Sequence, residues 1–123
     1  MAEYEEQVWD LAVAGGGTAG AMAALAAASE GCRTILIEKN KFPGGLATGS
    51  GLTEMNAAGY QGQPVYDGLE GEIFDEMIRS GHAYYHFAVP MTSDPSVKVD
   101  RLDYDPDILA EILQRRLTEA GVR

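Results

Sequence analysis

The sequence predicts an α/β fold built on a parallel βαβ unit, and three observations carry the prediction. A glycine-rich turn, Gly15-Gly16-Gly17-Thr18-Ala19-Gly20, lies between a short apolar run (Val8, Trp9, Leu11, Ala12, Val13, Ala14) and an alanine-rich stretch from Ala19 to Ala28. A second apolar, partly β-branched run, Thr34-Ile35-Leu36-Ile37, follows Gly31. An acid, Glu38, closes that run, about 20 residues beyond the last glycine.

The first run reads as a buried strand and the alanines as a helix, so the glycines form a strand-to-helix turn of Rossmann type. Gly15 permits the tight turn. Gly17 lets backbone N–H groups approach a pyrophosphate with no Cβ in the way, and Gly20 lets the helix pack closely on the strand. The helix N-terminus then offers unpaired N–H groups and the positive end of its dipole to the anion. Gly31 stops this helix and Thr34 to Ile37 forms the second strand. Glu38 at its end can accept hydrogen bonds from both ribose hydroxyls of an adenosine, while its charge disfavours a 2′-phosphate. A glycine-rich turn that binds nothing would leave the spacing to Glu38 unexplained.

Lys39 to Gly51 is dense in Gly and Pro and reads as a loop beyond the C-terminal end of the second strand. It is either a cofactor-side loop, with Gly44 and Gly45 bringing backbone close to an extended ligand, or a plain surface loop. Leu52 to Asp67 carries little signal. Leu52, Met55 and Ala57-Ala58 suggest a helical turn, interrupted by Gly59, Gly62 and Pro64. Leu69, Ile73, Phe74, Met77 and Ile78 recur at helical spacing and predict an amphipathic helix that ends near Ser80-Gly81. His82 and His86 are four apart, a spacing that on a helix could present both imidazoles to a metal. No third ligand is forced and H-E-x-x-H is absent, so no metal site is assigned. Phe87 to Asp94 reads as irregular around Pro90 and Pro95. Val97, Val99, Leu102 and Tyr104 look extended, with the alternation shifted around Asp100-Arg101 as a bulge or break would shift it. Asp105-Pro106 is a helix start, Ile108, Leu109, Ile112, Leu113 and Leu117 form its apolar stripe, and Ala120-Gly121 stops it. A further strand would begin at Val122.

The 123 residues have room for one domain, and 46% hydrophobic with 23% charged residues argues against disorder. The net charge is −10, and the nine bases form no stripe, so nucleic acid is excluded as a partner. Lys39, Lys41 and the Arg115-Arg116 pair read as solvated surface. Cys32, the single cysteine, excludes an internal disulfide and a four-cysteine metal site and reads as a small structural residue. Leu11 to Ser29 is uncharged, but it follows Glu3, Glu5, Glu6 and Asp10 rather than Lys or Arg. Its alanines and glycines are also only weakly apolar. It is therefore read as neither a membrane span nor a signal peptide, and a cytoplasmic protein without a membrane partner is expected.

With those residues in hand, the chain resembles the N-terminal portion of an FAD-dependent oxidoreductase with a glutathione-reductase-like FAD-binding domain. Ala14 to Gly20, Ile37-Glu38-Lys39, Gly44-Gly45-Leu46-Ala47-Thr48, and Tyr104-Asp105-Pro106 with Ala120-Gly121-Val122 match that family's segments in order. The resemblance implies FAD as cofactor. Gly15, Gly17, Thr18, Ala19 and Gly20 would lie at the pyrophosphate, Glu38 at the ribose, Lys39 at the adenosine edge, and Gly44, Gly45, Leu46, Ala47 and Thr48 on the ribityl-flavin side. It also implies a small-molecule substrate that these residues do not specify, and a domain incomplete in this chain. The parallel strands would then have open edges that favour self-association. An NAD-dependent dehydrogenase fragment shares the fingerprint, and a non-catalytic dinucleotide-binding or sensing module is the non-enzymatic alternative.

Overall fold

The computed structural model describes residues 7–123, so the acidic flank at Glu3, Glu5 and Glu6 lies outside the described residues. The fold is mixed α/β, with a parallel two-stranded sheet and an antiparallel four-stranded one. β1 (Leu11–Ala14) and β2 (Thr34–Ile37) pair in parallel, with Leu11 opposite Thr34 and Ala14 opposite Ile37, and α1 (Thr18–Ser29) connects them. Val8 and Trp9 precede the strand rather than join it. Arg123 pairs with the other edge of β2. Its N–H donates to the Thr34 carbonyl at 3.1 Å and its carbonyl accepts from the Leu36 N–H at 2.6 Å, as a parallel neighbour would.

Between β2 and the last helix the chain forms α2 (Leu46–Gly49), β3 (Glu54–Tyr60), β4 (Gln63–Pro64), α3 (Gly68–Arg79), β5 (Ala83–Pro90) and β6 (Lys98–Tyr104). The antiparallel sheet has the order β4-β3-β6-β5. This corrects two expectations. The weak segment Leu52 to Asp67 forms a hairpin instead of a helical turn, and Phe87 to Pro90 is strand. One cross-strand row, Met55, Leu102 and Tyr85, faces the core, while Glu54, Asp103 and Tyr84 stand on the other face.

The expected irregularity at Asp100-Arg101 is present, but β6 itself is unbroken. The extra residues sit in its neighbours: the register jumps between Asn56 and Gly59 in β3 and between His86 and Val89 in β5. Asp100 lies between the two bulges. One carboxylate oxygen accepts from the Ala88 N–H at 2.8 Å and the other from the Gly62 N–H at 3.3 Å. The bulges hold Ala57 and Ala88 at φ 58° and 55°, in the left-handed region.

α4 (Pro106–Glu119) starts as the sequence predicts, with Asp105 accepting from the Asp107 and Ile108 N–H groups. Leu109, Ile112, Leu113 and Leu117 of α4 meet Ala21, Ala24 and Leu25 of α1, Ile73, Phe74 and Met77 of α3, and Leu102 and Tyr104 of β6 in one core. The alanines of α1 matter here because small side chains let it pack against β1, β2, α3 and α4 at once. Arg115 and Arg116 are not merely solvated. Arg116 pairs with Glu76 at 3.0 Å and Glu72 at 3.2 Å, and Arg115 also reaches Glu76, tying α4 to α3. The parallel sheet is less buried than expected, with Leu11 and Ile37, on opposite faces, 39% and 59% exposed.

Candidate functional site

The site gathers where open α/β sheets gather their ligands, at the C-terminal ends of the parallel strands. β1 ends at Ala14, and the Gly15 N–H donates to the Ile37 carbonyl at 2.8 Å, so the turn begins locked to the end of β2. The glycines of the turn serve different ends. Gly15 has φ 103°, a conformation that a side chain would strain. At Gly20 a Cβ would overlap the carbonyl oxygen of Gly15 and lie 3.1 Å from its carbon, so α1 sits against the turn only because no side chain intervenes. Gly17 differs from both. Its φ of −62° suits any residue and a Cβ there would meet nothing within 4 Å. Nothing in the protein's own packing requires a glycine at that position.

Gly17 is also the N-cap of α1, which has no side-chain cap and no acid in its first turn. α3 and α4, by contrast, are capped by Asp67 and Asp105. The first intrahelical bond of α1 is donated by Ala21, which leaves the N–H groups of Thr18, Ala19 and Gly20 without helical partners beside exposed Thr18 and Ala19.

Glu38 reaches back across the turn. One oxygen accepts from the Gly16 N–H at 2.6 Å and the other from the Asn40 N–H at 2.7 Å. The N–H of Asn40, then that of Gly16, hold its carboxyl below the ordinary carboxylate range, so it is a carboxylate at neutral pH. Lys39 follows it on the exposed side of the strand end. Glu38, Phe42, Pro43, Gln114, Leu117, Val122 and Arg123 line a shallow cavity of about 120 Å³ there.

The loop from Pro43 to Gly51 lies directly on the fingerprint. The Gly44 N–H donates to the Gly16 carbonyl at 2.8 Å, the Thr18 hydroxyl donates to the Gly44 carbonyl at 3.2 Å, and a Cβ on Gly45 would lie only 3.0 Å from the Gly17 Cα. Both loop glycines have positive φ, 108° and 58°. Gly44 and Gly45 therefore come together with Gly15 to Gly20. The remaining loop positions face differently: Leu46 is 75% exposed, whereas Ala47 and Thr48 are buried. The Thr48 hydroxyl donates to the Pro43 carbonyl at 2.8 Å and closes the loop on itself. The Ala47 carbonyl accepts from the Tyr104 hydroxyl at 2.8 Å.

Three participants lie outside the residues assigned to the cofactor from the sequence: Gly16 and Asn40, whose N–H groups hold Glu38, and Tyr104. The first two follow from adjacency to predicted residues. Tyr104 stands in a segment that the resemblance matched, but nothing local signalled its hydrogen bond, since its partner is 57 residues away in sequence. His86 faces Asp103 at 3.1 Å on the antiparallel sheet, and among the described residues no three His, Cys, Asp or Glu side chains gather as metal ligands. No described helix is long and apolar enough to cross a membrane.

Comparison with solved structures agrees on the fold. The chain is similar to THI4 of Thermovibrio ammonificans, with 22% identity, 93% of this chain and 36% of that chain covered, and a TM-score of 0.54. It is similar to the Diels-Alderase PyrE3 of pyrroindomycin biosynthesis, with 21% identity, 92% and 24% covered, and a TM-score of 0.54. It is also similar to the L-amino acid deaminase of Proteus vulgaris, with 13% identity, 100% and 40% covered, and a TM-score of 0.50. The chain thus spans well under half of each of these structures. No curated protein matches the sequence. The family model described as FAD dependent oxidoreductase matches residues 10–123, and the chain belongs to that family.

Proposed function

We propose that the chain binds the ADP part of FAD as the N-terminal part, residues 1–123, of an FAD-binding domain. Gly17 carries the proposal. It is a glycine with an ordinary φ and open space where a Cβ would be, at the uncapped N-terminus of α1, so its lack of a side chain serves a ligand and not the fold. Gly15 to Gly20 would hold the pyrophosphate, Glu38 the adenosine ribose with Lys39 at the adenosine edge, and Gly44 to Thr48 the ribityl-flavin side. The geometry fits the group: the Thr18, Ala19 and Gly20 N–H groups have no helical partners, Glu38 is bound to the Gly16 N–H of the same turn, and a backbone loop packs on that turn. FAD, when bound, supplies the electron and hydride chemistry, and the protein supplies binding and orientation.

Membership of the family supports an oxidoreductase as the parent enzyme. Arg123, seated on the outer edge of β2, supports a sheet that continues there in the order 3-2-1. The β1 edge and the exposed Leu11 and Ile37 support self-association of the 123-residue chain. Calorimetric titration of FAD into the wild type and Gly17→Val tests the proposal. The wild type is expected to bind and the variant to lose binding with its fold intact by circular dichroism. Equal affinity in a folded variant refutes it.

A further inference from the structure

We infer that Tyr104 is a positioning residue for the flavin-side loop: its hydroxyl, carried in from the antiparallel sheet, sets the carbonyl of Ala47 and with it the path of Gly44 to Gly51. The inference rests on the FAD-binding proposal above for its meaning, but its structural basis is separate. Tyr104 is 5% exposed and its hydroxyl donates to a buried acceptor at 2.8 Å. It is the last residue of β6, immediately before the Asp105 cap of α4. Its backbone N–H donates to the Thr53 carbonyl at 2.9 Å, just after the loop, and its ring meets Phe74 edge-on at 6.5 Å. The phenol is therefore held by β6, α3 and α4 before it touches the loop at all.

The loop packs through α2 on α4, with Ala47 in the core, but few hydrogen bonds fix its backbone. Gly44 is tied to the fingerprint by two hydrogen bonds, and the Thr48 hydroxyl closes the loop internally on Pro43. Among the described residues, the Tyr104 hydroxyl is the one side-chain hydrogen bond from the antiparallel sheet to residues 43–51. A four-residue helix such as α2 does not fix its own orientation. The fingerprint holds one end of the loop and Tyr104 the middle. Loss of the hydroxyl would leave the Ala47 carbonyl buried without a donor, and the backbone would turn to find one.

The test compares the full chain as wild type and Tyr104→Phe, which keeps the ring and its packing. Amide hydrogen exchange in the absence of nucleotide is expected to rise at least tenfold across residues 44–51 and to stay unchanged across residues 15–20. Titrations with ADP and with FAD are expected to show ADP affinity within twofold of wild type and FAD affinity about tenfold weaker, the loss appropriate to one buried hydrogen bond. The visible band of bound FAD should change shape in the variant. Unchanged exchange in the loop overturns the inference, as does a uniform rise over the whole chain or an equal loss of ADP and FAD, either of which makes Tyr104 a general packing residue. A wild type that binds neither nucleotide refutes the FAD proposal instead, and the exchange comparison still decides whether Tyr104 braces the loop.

Discussion

Substituting Gly20 by alanine should reverse the sign that helix propensity alone assigns to it. Gly20 is the third residue of α1, and glycine to alanine inside a helix ordinarily stabilises by about 0.5–1 kcal/mol. Here the new Cβ would overlap the Gly15 carbonyl oxygen, lie 3.1 Å from its carbon and press on the Val13 side chain at 3.4 Å. The carbonyl cannot swing away freely, because the Gly15 N–H is bonded to Ile37 at 2.8 Å and its φ is 103°. Relief must come from the start of α1, which drags Ala21 and Ala24, both fully buried, out of register with the core. Overpacking of this kind costs roughly 1–3 kcal/mol. Set against the propensity gain, the net loss is up to about 2.5 kcal/mol, or a fall in Tm of up to roughly 10 °C for a chain of this size. Gly17→Ala is the control: its Cβ meets nothing within 4 Å, and a changed N-cap costs at most about 1 kcal/mol. Thermal melts of the three proteins by far-UV circular dichroism decide it. A Gly20→Ala protein that melts at or above the wild type, or a Gly17→Ala protein that falls as far, refutes the division of labour among these glycines.

Glu38→Ala should weaken FAD about tenfold, since a charge-assisted acceptor for the ribose is lost; unchanged affinity by calorimetry would make Glu38 only a brace for the Gly16 and Asn40 N–H groups. Hydrogen bonds from the Arg33 side chain and backbone lower the Asp10 carboxyl from 3.8 to about 2. The contribution of Asp10 to stability is thus complete above pH 3.8 and lost as the pH falls towards 2. Asp10→Asn should flatten that part of the acid limb in urea melts taken across pH, and an identical limb would show that the pair adds nothing. Ala88→Gly should stabilise by about 0.5–1 kcal/mol, because the left-handed backbone costs alanine more than glycine's extra chain entropy costs; a lower urea midpoint would show that the bulge is not strained at φ 55°.

The parallel unit was legible because its signals are local: each glycine acts on its immediate neighbours, the alanine run admits only a close-packed helix, and Glu38 falls at the end of an apolar run. α3 and α4 were legible for the same reason, since their apolar stripes repeat at one period from cap to cap. Of the antiparallel sheet only β6 was legible. The sheet's alternation breaks at Ala57-Ala58 in β3 and at Phe87-Ala88 in β5, where bulges shift the period. Gly59, Pro64 and Pro90 read as breakers although they sit at bulges, edges and strand ends, where such residues are tolerated. Half of the site followed the same rule. Gly15 to Gly20 and Glu38 come together within one βαβ unit, whereas the brace from Tyr104 to Ala47 depends on a sheet that the pattern of residues concealed.

The insertion of that sheet between β2 and α4 sets an order of assembly. β1, α1 and β2 close over a short stretch of chain, with Glu38 only 22 residues from the Gly16 it binds. The loop beside them is finished only when β6 has paired on both sides and Tyr104 arrives from 57 residues away. Contacts at that separation form late and slowly, after the chain entropy of a long loop has been given up. During refolding Gly15 to Gly20 and Glu38 would therefore be in place while residues 43–51 still move. On the binding mode proposed above, nucleotide capture would begin at the adenosine end and travel towards the flavin as the antiparallel sheet locks.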